Sequence, residues 1–141
     1  MNFTRRETLV LAAGTAAVAS LPMAAYADQA AVDAAIAEFT GGADMADAGV
    51  TLTAPEIAEN GNTVPIEVDA AGASAIMVLA AGNPTPGVAT FNFGPLSGAQ
   101  RASTRIRLAG TQDVIAIAKL ADGTFARASQ EVKVTIGGCG G

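Results

Sequence analysis

From Val50 onward the apolar residues of this chain recur at every second position in short runs, and that period constrains the fold more than any other feature. Val64, Ile66, Val68 and Ala70 alternate with Thr63, Pro65, Glu67 and Asp69, the pattern of a half-buried strand. Pro65 has no N–H to give to a ladder, so it points to an edge or a bulge. Residues 75–81 are continuously apolar and fit a central strand. Asn83-Pro84-Thr85-Pro86-Gly87 is a turn. Ala89, Phe91 and Phe93 then alternate with Thr90 and Asn92, and Ile106 and Leu108 with Arg105 and Arg107. A mostly apolar run at 114–120 is closed by Asp122-Gly123, a hairpin signal. Last, Val132, Val134 and Ile136 alternate with Glu131, Lys133 and Thr135.

With residues 50–52 counted, about seven short strands follow one another closely. That predicts an all-β fold, an antiparallel β-sandwich of immunoglobulin-like type. The Cys–Trp–Cys pin of antibody domains is absent, so the architecture rests on strand count. Ahead of the strands, Val32, Ile36 and Phe39 fall at i, i+4 and i+7 with alanines between them. This reads as a short amphipathic helix over 29–40, stopped by Thr40-Gly41-Gly42.

Residues 1–27 have the layout of an export signal. Arg5 and Arg6 supply a basic start, residues 8–21 are a short Ala/Leu/Val stretch, and Ala25-Tyr26-Ala27 is a small-x-small cleavage site. Processing is expected between Ala27 and Asp28. The apolar stretch falls short of the roughly 20 residues needed to cross a bilayer. Thr4-Arg5-Arg6-Glu7-Thr8-Leu9 fits the twin-arginine form, with Thr8 in place of the usual aromatic. An ordinary secretory signal that happens to hold two arginines is the other reading. The mild hydrophobicity of the stretch favours twin-arginine, and both readings put the protein in a bacterial periplasm. Three segments follow: a signal at 1–27, a helix plus sandwich at 28–136, and a tail at 137–141.

Inventory removes most kinds of chemistry. The chain has 141 residues, enough for one domain, and a formal net charge of −5. Losing Arg5, Arg6 and Glu7 with the signal makes it one unit more negative. Without a basic cluster it cannot neutralise phosphates, which argues against nucleic acid, and nothing supports a lipid anchor. There is no histidine and no tryptophan. This leaves no Ser-His or Cys-His pair and no imidazole metal site, and once residues 1–27 are removed Phe39, Phe91, Phe93 and Phe125 are the only aromatics, which leaves no stacking platform. One cysteine makes neither a thiolate cluster nor a Cys-x-x-Cys pair. No metal and no cofactor is expected. Asp44 with Asp47, and Glu56 with Glu59, read as solvated loop charges rather than an acid–base pair.

The exception is Gly137-Gly138-Cys139-Gly140-Gly141. Lone cysteines are usually small buried hydrophobes, but four flanking glycines offer no packing and no preferred backbone conformation. Three extended residues past Ile136 carry the sulfur about 10 Å beyond the domain. No Lys or Arg follows Lys133, and an unperturbed thiol, with a pKa of about 8.5, is mostly neutral at pH 7. Such a tail is a poor catalyst and a good substrate, slim enough to thread into a narrow enzyme channel. A disulfide tether, joining two exported modules, and a terminus without a role are the blander readings.

The tail, the export signal, the stretch from Ala54 to Pro65 and the final Val132-Lys133-Val134-Thr135-Ile136 together resemble the SoxY family. SoxY is the sulfur-carrier subunit of the periplasmic thiosulfate-oxidising (Sox) system. The resemblance implies a carrier rather than an enzyme. Cys139 would hold intermediates covalently, first as an S-thiosulfonate made by a SoxAX-like haem enzyme. A SoxB-like hydrolase would then release sulfate and leave a persulfide for a sulfane dehydrogenase or a transfer route. It also implies a heterodimer with a SoxZ-like sandwich subunit. The residues point the same way: a core of small side chains, no disulfide and apolar runs such as 76–79 suggest that a partner covers part of the sheet.

Overall fold

The computed structural model describes residues 24–136, with side chains from Gln29 onward. An alanine-rich helix, α1 (Ala24–Thr40), opens it. It starts ahead of Gln29 because alanines on both sides of the Ala27–Asp28 junction are strong helix formers. It stops where expected. Thr40 Oγ1 donates back to the Ile36 carbonyl at 2.8 Å, and Gly41 and Gly42 follow at φ +65° and +83°, a left-handed exit that glycine adopts without strain. Among the described residues no helix is long and apolar enough to cross a membrane.

Nine strands follow: β1 (Met45–Ala46), β2 (Thr51–Thr53), β3 (Ile57–Ala58), β4 (Val64–Asp69), β5 (Ala73–Ala80), β6 (Gly87–Asn92), β7 (Arg101–Ile106), β8 (Gln112–Leu120) and β9 (Phe125–Val134). They form a six-stranded sheet in the order β1-β9-β8-β5-β6, with β3 also on β9, and a three-stranded sheet β2-β4-β7. Among the described residues the chain is an all-β, immunoglobulin-like sandwich with one helix ahead of the strands. The seven longer strands pair antiparallel.

The two shortest strands depart from that pattern. Met45 lies opposite Phe125 and Ile57 opposite Lys133, both in parallel register with β9. The segment 45–58 runs alongside β9 in the same direction, and its middle leaves to join the other sheet as β2. The bend passes close to β9 at Gly49. Its φ is +115°, and a Cβ there would lie 3.2 Å from the Ala126 Cβ.

Two cores sit on opposite faces of β5 and β8. Ile76, Val78, Val114, Ala116 and Ala118 meet Val64, Ile66, Val68 and Ile106 of the three-stranded sheet. Met77, Leu79, Ile115 and Ile117 turn outward and are covered by Val32, Ile36 and Phe39 of α1. Phe39 meets Phe125 edge-to-face at 5.9 Å. Each fully buried Val, Ile or Leu contributes roughly 1.5–3 kcal/mol over leaving it exposed. This corrects the reading of 76–79 as a surface awaiting a partner. Ile76, Val78 and Leu79 are completely buried and Met77 nearly so, because helix and second sheet cover both faces of the strand within this chain.

The Pro65 expectation holds only in part. β4 is the middle strand of its sheet, yet β2 reaches only Glu67–Asp69. Pro65, opposite Arg105 on β7, therefore sits where β4 has one neighbour and its missing N–H costs no ladder bond.

Candidate functional site at the end of the last strand

The Arg5, Arg6, Gly137, Gly138, Cys139, Gly140 and Gly141 sites lie outside the described residues. Ala27 and Asp28 lie in the first turns of α1. The described structure thus bears on the site through its root, the place where β9 delivers the tail.

That root is held on both sides. β9 pairs with β8 as far as Val132, opposite Gln112. Beyond it the segment from Glu56 to Gly61 takes over. Lys133 N–H donates to the Glu56 carbonyl at 2.9 Å and Thr135 N–H to the Ala58 carbonyl at 3.1 Å. Thr135 Oγ1 donates to the Glu59 carbonyl at 3.2 Å. Gly61 N–H donates to the Ile136 carbonyl at 2.8 Å, and the Gly61 carbonyl in turn accepts from Leu108 N–H at 2.7 Å. On the other side Val134 N–H donates to Thr111 Oγ1 at 3.0 Å. Backbone order therefore extends to the residue before Gly137, and the launch point of the tail is defined by both flanks of the sandwich.

The surroundings are open and mixed in character. Ile136 is 69% exposed and Ile57 58%, both on the seam between β3 and the end of β9. Glu56, Ile57, Gln130, Glu131 and Lys133 line a shallow groove along it. Glu56 and Glu59 share this seam as exposed side chains, and Asp44 and Asp47 are exposed near β1. Neither pair is enclosed. Among the described residues no group of three or more metal-ligating side chains comes together.

The clamp from Glu56 to Gly61 is what reading the sequence missed. It grips residues up to 77 positions away, and no local period or motif announces so distant a partner.

A model of the SoxY family, described as sulfur oxidation protein SoxY, matches residues 36–139, from the helix through the cysteine. The chain belongs to the SoxY family. Among solved structures it is similar to the sulfur carrier protein SoxY from Chlorobium limicola f thiosulfatophilum. That similarity is 35% identity with a TM-score of 0.66, over 76% of this chain and 98% of that one. A superoxide reductase (neelaredoxin) from Ignicoccus hospitalis is similar at 16% identity and a TM-score of 0.54, over 62% of this chain and 80% of that one. At that identity the likeness is one of fold alone. No curated protein matches the chain. In this SoxY-family chain, then, the clamp at the end of β9 and the open seam beside it lie within the stretch that the family model matches.

Proposed function

We propose that this chain is the periplasmic sulfur carrier of thiosulfate oxidation, with Cys139 as the covalent attachment point. The observation that carries the reading is the family match, which runs to residue 139 and so includes the only cysteine of the chain. The root geometry supports it. A rigid launch point followed by a glycine tether places a thiol in reach of a channel about 10 Å deep while the body stays outside.

In this reading a SoxAX-like haem enzyme joins the Cys139 thiol to thiosulfate. The S–H proton is released, a sulfur–sulfur bond forms, and two electrons pass to the haems. A SoxB-like hydrolase adds water to the terminal sulfonate, releasing sulfate and leaving a persulfide on Cys139. A sulfane dehydrogenase or a transfer step then unloads the remaining sulfur. A SoxZ-like subunit completes a heterodimer. The chain itself catalyses none of these steps and needs no cofactor. Gly137, Gly138, Gly140 and Gly141 serve access, and Arg5 and Arg6 direct export before cleavage between Ala27 and Asp28.

Intact-mass spectrometry of protein purified from its host, with and without reductant, tests the attachment. Wild type should carry reductant-labile sulfur adducts. Cys139→Ser should carry none while keeping its thermal midpoint, since on this reading the thiol serves loading and not packing. A stable cysteine-linked dimer without sulfur adducts would instead establish a structural tether. Replacing Arg5 and Arg6 by lysine should leave the precursor unexported. Normal export of that variant would rule out the twin-arginine route.

A further inference from the structure

The six-stranded sheet is closed at one edge and open at the other. At β9 the edge is covered by β1 and β3. At the far side β6 has, among the described residues, one neighbour, β5. Exposed edges invite pairing with another chain, and proteins usually blunt them with charges, prolines or bulges. β7, the edge of the other sheet on this flank, is blunted in that way. It carries Arg101 and Arg105, and Arg101 Nε bonds to Asp69 at 2.9 Å and lies 3.6 Å from Glu67.

β6 has little such protection. The chain carries no charged residue from Ala70 to Gln100. The one irregularity in the β5–β6 ladder lies between Val78 and Leu79, opposite Ala89 and Gly87. Ala89–Asn92 is then a regular, uncharged, free edge. Beside it, on the helix side of the sheet, a groove is lined by Phe39, Met77, Thr90 and Asn92 together with Glu38 and Lys119. The loop that leaves β6 holds Leu96, 98% exposed.

We propose that the β6 edge is the docking site of the second β-sandwich subunit, which adds one of its own edge strands beside Ala89–Asn92. The inference rests on the carrier reading for the existence of that subunit. Two observations favour this occupant. An uncharged edge accepts a foreign strand without setting like charges opposite one another, and the adjoining groove takes alternate side chains of the added strand. The tail also starts from the opposite side of the sheet, three strand spacings or about 14 Å away from β6. A subunit seated at β6 leaves the Cys139 tether free for other enzymes, whereas one seated on the β3–β9 seam would crowd its root.

The test uses the full mature chain and a purified SoxZ-like subunit from the same host. Thr90→Lys with Asn92→Lys places two charges on the free edge, and Thr51→Lys with Thr53→Lys does the same on β2 as a control. The β6 pair should weaken the heterodimer by about 30-fold or more, the scale of losing a central interface anchor. The β2 pair should leave its Kd unchanged, and both should keep the wild-type circular dichroism. Hydrogen exchange of the unmutated chain gives an independent reading: β6 amides should gain protection in the complex. Unchanged affinity of the β6 variant, or new protection confined to the β3–β9 seam or β7, would overturn the site and leave the heterodimer standing. No binding by wild type would sink the partner reading itself. A dimer of this chain alone that the β6 charges dissolve would make a second copy the occupant and overturn the proposal.

Discussion

At the β9 edge of the six-stranded sheet, β1 and β3 cover the backbone and exposed Glu131 and Lys133 flank the strand end. At the β6 edge the backbone is bare and every side chain is uncharged. β9 carries Arg127, Glu131 and Lys133 where β6 carries no charge, but local sequence character does not say which of the two backbones is covered. Their neighbours do. The covered edge holds the end of β9 in place up to Ile136, as the proposed tether would require of its anchor. The bare edge leaves hydrogen-bonding capacity unused, as docking requires. A carrier needs both: one surface that stays attached to a subunit, and one that releases its cargo to many enzymes.

The largest expected effect isolates the tether from everything else. Replacing Gly138 and Gly140 together by valine stiffens and widens the tail. Turnover by the partner enzymes should fall about 100-fold, the penalty typical of misplacing a reacting group by an ångström. Labelling by a small thiol reagent and affinity for the second subunit should hardly change. Full turnover in that variant would show that the glycines are not there for access.

A smaller effect probes the root of the bare edge. Gln112 is buried, with its Nε2 donating to Asn83 Oδ1 at 2.9 Å and to the Gly110 carbonyl at 3.0 Å. Its Oε1 accepts from Gly82 N–H at 2.8 Å. Asn83 passes the link on to Ala109 N–H and the Arg107 carbonyl. Gln112→Ala strands these groups and should lower stability by about 1–3 kcal/mol in denaturant unfolding. Because the network anchors the turn that leads into β6, affinity for the second subunit should also drop, with Cys139 loading of the folded fraction intact. A stability loss without any loss of affinity would separate the turn from the docking edge.

The smallest effect lies at the far end of β9 from the tether. Asp122 Oδ1 accepts from the Thr124 hydroxyl at 2.6 Å and from Thr124 N–H at 2.9 Å. Those bonds, the hydroxyl first, hold its carboxyl below the usual carboxylate range. A carboxyl depressed in the folded state contributes stability above its unfolded pKa of about 3.9, and that contribution disappears as pH falls through the folded value. Asp122→Ala should therefore be slightly less stable than wild type at pH 7, with the two thermal midpoints converging in acid. A gap that persists at low pH would mean that the aspartate acts through hairpin geometry and not through its charge. Cys139 loading should be the same in both.

Much of the sandwich is legible in the chain because its cues are local. The period of two in Val64–Asp69, the uninterrupted run of β5 and the Asp122-Gly123 signal each report one strand or one turn, and each is found there. Val32, Ile36 and Phe39 likewise mark the face of α1 that packs on the sheet. The run at 76–79 shows the limit. Continuous apolarity says that both faces of a strand are covered, but not by what, and here α1 and the second sheet suffice. The site divides in the same way. Cys139 and its glycines stand out by composition, whereas the Glu56–Gly61 clamp, which decides where the tether begins, carries no mark of its own.

The sequence by itself determined the strand-rich class, the helix ahead of it and the single cysteine on which the proposed carrier role rests, since side-chain period, turn chemistry and nucleophile inventory are properties of neighbouring residues. Only the tertiary structure decided that β1 and β3 run parallel to β9, that β6 is left bare among the described residues, and that the end of β9 is gripped as far as Ile136. Those outcomes depend on which backbone N–H meets which carbonyl across tens of residues. Every strand presents the same backbone groups, so its partner is selected by the packing of the whole sandwich.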